Sequence, residues 1–202
     1  RTLQKMLQLN PRQVVVALNP SDPWWPTLTI ASKSQFSTVE GGATRAESVC
    51  SALDSISDQA NPDDWVLVHD AARPCVQLSD IRRLMDTLQN SLVGGILATP
   101  ISDTLKQVAP VTRAIQQTLD RSALWAAQTP QMFRYQLLWE ALHAAGNDVT
   151  DEAAAVEQLG EVPVVVEGSR DNIKITLAED LAIAEAIIRF REMDASSQQG
   201  EH

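Results

Sequence analysis

Strand-like and helical segments alternate along most of this 202-residue chain, and this alternation restricts its fold more than any other feature. Apolar, often β-branched runs predict strands, and apolar residues at helical spacing predict helices between them. The predicted strands are 13–18, 36–39, 65–69, 94–100, 162–166 and 173–176, and the main predicted helices are 46–53, 81–88, 135–145 and 151–159. We therefore predict an α/β fold with a Rossmann-like, doubly wound, mostly parallel sheet.

The two ends of the chain carry local signals. Residues 1–10 form a helical pattern that Asn10-Pro11 ends, so the sequence begins inside an α/β unit and we expect an N-terminal segment to precede it. Ser79-Asp80 is predicted to supply an N-cap and a first-turn acid, and Thr176 to Glu179 is a predicted capping box for the last helix. We interpret residues 1–202 as one N-terminally incomplete domain with a disordered polar tail at 195–202.

One segment does not fit the alternation. Residues 101–117 alternate polar and apolar side chains without a helical stripe, which predicts an extended excursion. We interpret residues 101–121 as a protruding β-arm. Because polar arms that leave a compact domain usually contact a second chain, we expect a homodimer.

Composition excludes several classes of function. The formal net charge is −10, which argues against a general partner of nucleic acid or of anionic membranes. No apolar run approaches the roughly 20 residues that span a bilayer. Cys50 and Cys75 form no metal or redox spacing, so we expect reduced thiols and a cytoplasmic protein.

The strongest chemical signal follows the strand at 65–69. Asp70 and Arg73 come directly after it, and ligands of open α/β sheets bind beyond the carboxyl ends of strands. A carboxylate and a guanidinium there suit a metal or hydroxyl and a phosphate respectively. For an isolated pair, an Asp that caps a turn beside a surface Arg is the commoner explanation.

Other candidates are weaker singly. The segment Gly41 to Ser48 turns from a strand into a helix, and either a nucleoside pocket or a simple turn explains it. Arg121 fits a solvated charge, Thr129 a helix-terminal hydroxyl and Lys174 an edge-strand charge. The run from Thr150 to Ala153 fits an N-cap with acids on the helix dipole.

Taken together, in this order and spacing, these segments resemble one family. The matching segments are VEGGATRAESV, WVLVHDAARPC, GGILATPISDTLK, TLDRSALWAAQTPQMF, VTDEAAAVEQLG and VEGSRDNIKIT. They closely resemble the 2-C-methyl-D-erythritol 4-phosphate cytidylyltransferases of bacterial non-mevalonate isoprenoid synthesis. The resemblance covers about residues 12–191.

The resemblance implies a reaction and a set of residues. The phosphate of methylerythritol phosphate would attack the α-phosphorus of CTP and release pyrophosphate, with Mg²⁺ required. The implied catalytic residues are Arg121 and Lys174, and the implied metal ligand is Asp70. The implied nucleotide-binding residues are Gly41, Gly42, Ala43, Ser48 and Asp70, although the family often has an acid at the position of Ala43. The implied acceptor-binding residues are Asp70, Arg73, Thr104, Arg121, Thr129 and Lys174.

In the family the arm reaches the neighbouring subunit, so the resemblance implies that Thr104 and Arg121 serve the partner's site. One feature departs from the family. Residues 1–20 match no part of its glycine-rich loop, whose Arg and Lys hold the CTP triphosphate, and a chain without that loop would bind CTP weakly and turn over little. Two alternatives stay open: a ribitol-phosphate cytidylyltransferase, and a catalytically inactive dimeric binding module.

Overall fold

The computed structural model describes residues 1–146 and 149–199, with side chains as far as residue 194. The strands are β1 Val14–Leu18, β2 Phe36–Glu40, β3 Trp65–Val68, β4 Gly94–Pro100, β5 Lys106–Val108, β6 Ile115–Thr118, β7 Trp125–Arg134 and β8 Val164–Glu167. The helices are α1 Thr2–Leu7, α2 Arg45–Asp54, α3 Leu78–Leu88, α4 Tyr135–Ala145, α5 Glu152–Gln158 and α6 Ala178–Gln199, and two short 3₁₀ turns lie between β1 and β2.

The central sheet has four strands in the order β3-β7-β4-β8. Strand β7 is antiparallel to both of its neighbours, whereas β4 and β8 pair in parallel, so three of the four strands run in one direction. The parallel pair β1-β2 forms a separate two-stranded sheet. The predicted α/β fold with a mostly parallel sheet is confirmed, and the sheet is mixed.

Strand β7 is the main element that the sequence prediction missed. Residues 125–127 are exposed and residues 128–133 are buried, so the strand has no uniform apolar pattern. It brings the chain back from the arm beside β4, and a chain that returns along the strand it has just left pairs with it in antiparallel fashion. This return places Thr129 and Gln131 in the middle of the sheet.

Close backbone approach explains the glycines that begin β4. A Cβ on Gly95 would lie 2.1 Å from the carbonyl oxygen of Val164, and one on Gly94 would lie 2.2 Å from that of Met132. Gly94 also has a φ of +130°, which side chains rarely allow. These two positions therefore let β4 lie between β7 and β8.

Helices cover both faces of the central sheet. Ile96 and Ala98 pack with α2, α4 and α5 on one face, whereas Leu97 packs with α1 and α3 on the other. Phe133 and Met132 of β7 divide between the same two faces. This division follows from the alternation of side chains along a strand.

A cleft of about 660 Å³ separates the two sheets. Residues 14–17 of β1 and 65–68 of β3 line it, together with residues of α1 and α2. The segment 13–18 was predicted to be a buried strand, but β1 is only half-buried because this cleft lies beside it.

Two local predictions before the last helix are wrong. Residues 173–176 form no strand. This segment is instead attached to the turn after β3 by a backbone hydrogen bond, in which the N–H of Ile175 donates to the carbonyl of Ala72 over 2.8 Å. Helix α3 begins at Leu78 with Gln77 at its N-cap and no side-chain capping bond, so the predicted N-cap at Ser79 is wrong. The predicted first-turn acid, Asp80, is confirmed, and it accepts from the N–H of Ser169.

The last helix also differs from its prediction. Asp180, rather than Glu179, accepts from the N–H groups of Thr176 and Leu177, and α6 begins at Ala178. The helix continues to Gln199, so residues 195–199 are helical where a disordered tail was predicted. Residues 200–202 of that predicted tail lie outside the described residues.

The arm is an exposed hairpin of β5 and β6, which pair in antiparallel fashion. Both cysteines are free thiols, as predicted. Within the described chain, none of the helices combines the length and the apolar character needed to cross a bilayer.

Candidate active site

The site lies beyond the carboxyl end of β3, where the chain makes a tight turn. The N–H of Arg73 donates to the carbonyl of Asp70 over 3.0 Å and closes this turn. The N–H of Asp70 donates to Oγ1 of Thr129 on β7, also over 3.0 Å. The Asp70 carboxylate is thereby fixed at the mouth of the sheet, with its side chain 12 % exposed.

The segment after β8 crosses this turn and delivers Lys174. Nζ of Lys174 lies 3.0 Å from Oδ2 of Asp70. The segment is held by Asn172, whose Nδ2 donates to the carbonyl of Thr129 over 2.9 Å. Arg73 Nη1 donates to the carbonyl of Asn172 over 2.7 Å. The turn and the crossing segment therefore form one unit.

Arg73 completes a group of cations around Asp70. Its Nε lies 3.7 Å from Oδ2 of Asp70 and has no hydrogen-bond partner among the described residues. An unpartnered buried N–H is costly, and a phosphate oxygen is the kind of acceptor that a guanidinium binds best. The position of Arg73 thus suits an anion bound next to Lys174.

A third cation reaches Asp70 from the other side. Arg45, the first residue of α2, donates through Nε to Oδ1 of Asp70 over 2.9 Å. Its Nη1 and Nη2 donate to the two carboxylate oxygens of Glu152 over 2.6 and 2.9 Å. Glu152 begins α5 and is fully buried. Arg45 therefore links α2, the end of β3 and α5.

The charges of the cluster are interdependent. Burial alone would raise the pKa of Asp70, but Arg45 and Lys174 hold it below its usual value. Burial also raises the pKa of Glu152, and the two hydrogen bonds from Arg45 oppose that effect. Three cations surround two carboxylates, so the cluster retains positive charge for an anionic ligand.

His69 links the turn after β3 to β7. Burial lowers its pKa to about 4, so the ring is neutral at pH 7. Its Nε2 lies 3.2 Å from the carbonyl of Arg73 and its Nδ1 lies 2.9 Å from Oγ1 of Thr129. A neutral ring with its proton on Nε2 satisfies both contacts, because the Thr129 hydroxyl then donates to Nδ1 and accepts from Asp70 N–H.

The Thr129 hydroxyl, which the family resemblance implied for acceptor binding, thus already makes two contacts inside the protein. Only 4 % of the residue is exposed. Its position suits holding His69 and Asp70 in place.

The turn before α2 is built from its own side chains. Thr44 and Glu47 form a capping box, and Ser48 Oγ accepts from the N–H of Gly42 over 3.1 Å. A Cβ on Gly42 would lie 2.2 Å from Cβ of Glu47, so the turn requires glycine there. Gly41, Ala43 and the rest of this turn are connected to the Asp70 cluster through Arg45.

Thr104 and Arg121 are not part of this cluster. Both are exposed near the base of the arm, where Leu119 N–H donates to the carbonyl of Leu105. The Arg121 side chain makes no hydrogen bond or ion pair with the rest of the described chain. Within the described chain, the structure therefore brings together Asp70, Arg73, Thr129 and Lys174 but leaves these two apart.

The donor set fits a magnesium ion poorly. Mg²⁺ is bound by carboxylate and phosphate oxygens and water, usually with one or two protein carboxylates. Both oxygens of Asp70 already contact cations, so this carboxylate is not free to bind Mg²⁺. The groups around Asp70 therefore suit an anion better than a metal ion.

Sequence reasoning missed Arg45, Glu152 and His69. The pattern of Asp151 and Glu152 was interpreted as an N-cap with dipole acids, and Asp151 does cap α5 by accepting from Ala154 N–H over 2.9 Å. Glu152, in contrast, faces Arg45. The sequence did contain a signal, because α2 and α5 begin with charged residues of opposite sign. Spacing along the chain does not show that these two residues pair.

Comparison with known proteins identifies relatives of this chain. The family model described as 2-C-methyl-D-erythritol 4-phosphate cytidylyltransferase matches residues 1–190. The enzyme of that name from Vibrio parahaemolyticus is 51% identical over 189 residues, which cover 91% of this chain and 80% of the relative. The one from Dechloromonas aromatica is 50% identical over 181 residues, covering 89% and 78%.

Solved structures agree with these relatives. A crystal structure of a 4-diphosphocytidyl-2C-methyl-D-erythritol synthase superposes with a TM-score of 0.84 at 38% identity, covering 93% of this chain and 87% of that one. The cytidylyltransferase from Francisella tularensis gives a TM-score of 0.79 at 38% identity, covering 92% and 85%. Sequence and fold therefore point to the same family.

Proposed function

Since the chain belongs to the 2-C-methyl-D-erythritol 4-phosphate cytidylyltransferase family, we propose that it transfers CMP from CTP to 2-C-methyl-D-erythritol 4-phosphate and releases pyrophosphate. This reaction belongs to isoprenoid precursor synthesis. The observation that carries the proposal is the group of Arg73 and Lys174 around Asp70 at the mouth of the sheet.

The chemistry needs two polyanions close together. The acceptor phosphate must approach the α-phosphate of CTP against electrostatic repulsion, and fixed cations lower that cost. Lys174 and the free Nε of Arg73 lie on the same side of the turn as the Asp70 carboxylate. We assign the acceptor phosphate to these two cations, and one acceptor hydroxyl to Asp70.

The nucleotide belongs to the neighbouring turn. Gly42 lets this turn pack closely against Glu47, and the backbone carbonyls there suit the amino edge of a cytosine ring. The N–H groups of Gly41, Gly42 and Ala43 already donate to Leu18, Ser48 and Glu47 respectively. Ser48 holds this turn in shape through Gly42 and Thr44. Ala43 lacks the acid found in many family members and its N–H donates to Glu47, so we assign its contact to the backbone carbonyl.

The arm extends the proposal to a homodimer. We place Thr104 and Arg121 in the partner's site, which agrees with their exposure and with the absence of a side-chain partner for Arg121 in the described part of this chain. Exposed apolar side chains on the arm, Val108, Val111 and Ile115 among them, suit contact with a second copy. The proposal includes a Rossmann-like, doubly wound sheet and a cytoplasmic location, where CTP is available and thiols stay reduced.

A ribitol-phosphate cytidylyltransferase is the nearest alternative in chemistry. The family match and the relatives favour methylerythritol phosphate. An inactive binding module is not favoured, because the nucleotide turn and the phosphate cations occur together.

The test is release of pyrophosphate by the full gene product with CTP and each acceptor in parallel. We expect release with methylerythritol phosphate that is at least 100-fold more efficient than with ribitol 5-phosphate, because a misfitted acceptor leaves polar groups unpaired. No release with either acceptor, or a preference for ribitol 5-phosphate, would overturn the proposal.

A further inference from the structure

The fork of Arg45 onto Glu152 has no assigned task in the reaction. Glu152 is fully buried, and its carboxylate is held by Arg45, a residue to which no contact with either substrate is assigned. Arg45 lies between Glu152 and Asp70 and touches both. Burying a carboxylate costs desolvation free energy, which an ion pair repays only when its hydrogen-bond geometry is good. The bidentate contact from Arg45 to Glu152 provides that geometry.

Glu152 is itself held in place from the sheet. Gln131 on β7 donates from Nε2 to Oδ2 of Asp151 over 2.8 Å and accepts from the N–H of Ala153 over 2.9 Å. These contacts flank Glu152 on both sides, and Gln131 is buried. The carboxylate of Glu152 is thus anchored to the central strand, not to a loop.

The guanidinium of Arg45 couples the position of Glu152 to that of Asp70. Two of its nitrogens are fixed by the fork on Glu152, so the third, Nε, is aimed at one oxygen of Asp70. That contact turns the second oxygen of Asp70 toward Lys174. A lysine at position 45 would carry the same charge but has no fork with which to set a direction.

We propose that Arg45 and Glu152 act as one positioning unit that orients the Asp70 carboxylate toward Lys174 and the acceptor. This inference rests on the proposed function for its catalytic consequence. Its structural content, the dependence of the Asp70 rotamer on the Arg45–Glu152 fork, stands independently of the substrate. The unit also lies at the start of α2, so it ties the nucleotide turn to the acceptor site.

The test compares Arg45→Lys, Glu152→Gln and the double variant with a structural control. Arg134→Lys is that control, since Arg134 also joins separate segments through Asp63 and Ser91 and stacks on Trp65, but at the opposite end of β3. It is expected to lower the melting temperature with kcat unchanged.

In both single variants we expect kcat at saturating substrates to fall about 10- to 100-fold, with the KM for CTP within about twofold, because small displacements at a reacting centre cost rate before they cost binding. The double variant should be no slower than the slower single one, since both residues act through Asp70. Additive losses, or a kcat equal to that of Arg134→Lys, would overturn the proposal.

Crystal structures of the wild type and Arg45→Lys separate this inference from the proposed function. We expect Asp70 Oδ2 in the variant to leave its position 3.0 Å from Lys174 Nζ. An unchanged contact would overturn the positioning role, whatever the activity of either protein. A wild type inactive with both acceptors would refute the proposed function, and the two structures would still decide the positioning role.

Discussion

Nζ of Lys174 lies 3.0 Å from Oδ2 of Asp70, which joins the segment after β8 to the turn after β3. The two residues meet because Asn172 bonds to the carbonyl of Thr129 and Ile175 N–H bonds to Ala72. A single irregular segment thereby closes over the carboxyl end of the sheet, the usual location of ligand sites in open α/β folds.

Substituting Lys174 tests the proposed acceptor site. Lys174→Gln removes a cation to which we assign the acceptor phosphate, so we expect kcat/KM for the acceptor to fall about 100-fold, the range found for a lost transition-state donor. Lys33→Gln serves as the control, because Lys33 is exposed and is not among the residues assigned to either substrate. Steady-state kinetics with variable acceptor measures both, and equal values would argue against the assignment of the phosphate to Lys174.

Magnesium dependence tests whether Asp70 is a metal ligand. We expect chelation of divalent ions to stop pyrophosphate release and added Mg²⁺ to restore it, because CTP reacts as a metal complex. Both oxygens of Asp70 already face cations, so Asp70→Asn should lower kcat without raising the Mg²⁺ concentration for half-maximal residual activity. An increase of tenfold or more in that concentration would show that Asp70 ligates the metal.

Burial of His69 predicts a pH dependence of stability. Its pKa is lowered to about 4, so between pH 6.5 and 4 the unfolded chain binds a proton that the folded chain does not. The free energy of unfolding therefore falls as the pH drops through this window, by up to about 3 kcal/mol at 1.36 kcal/mol per pKa unit. The lowered pKa of Asp70 adds a further loss at the acidic end.

Urea unfolding at several pH values isolates the His69 contribution. His69→Asn keeps an acceptor near Thr129 but cannot titrate, so its stability should vary less with pH over this window than that of the wild type. Ser34→Ala, which changes an exposed side chain that does not titrate, should retain the wild-type slope. Identical slopes for all three proteins would refute the burial of a neutral His69.

Mixed dimers test whether the arm acts in the neighbouring subunit. If Arg121 serves the partner's site, Arg121→Ala and Lys174→Ala are each nearly inactive alone, but their heterodimer has one intact site. Random mixing after denaturation and refolding should then restore about one quarter of the wild-type activity, because half of the dimers are mixed and each has one working site. No recovery in a mixture verified to contain heterodimers would place Arg121 in its own subunit's site.

Local sequence patterns predicted part of this site and missed part for a physical reason. Asp70 and Arg73 were identifiable because they end an apolar strand, and strand ends converge at one edge of the sheet. Glu152 was interpreted as a dipole acid, since a helix N-terminus attracts acids whether or not they are buried. Its pairing with Arg45 depends on how α2 and α5 pack, which no local pattern contains.

The fold shows the same division. Segments with a strong apolar period, such as the helix at 135–145, were predicted with their observed bounds. Strand β7 was missed because its first residues are exposed beside the arm and its polar Gln128, Thr129 and Gln131 are buried. These buried polar residues bond to Ser169, His69 and Asp151, so tertiary contacts explain what propensity could not.

The account's central claim is that the acceptor phosphate attacks the α-phosphorus of CTP at the Asp70 cluster. The most direct measurement is ³¹P NMR and mass spectrometry of the products formed by the full gene product from CTP and methylerythritol phosphate with ¹⁸O in its non-bridging phosphate oxygens. We predict a cytidine diphosphate product that carries the label and pyrophosphate that carries none. Formation of CMP, or the appearance of label in pyrophosphate, would contradict the account.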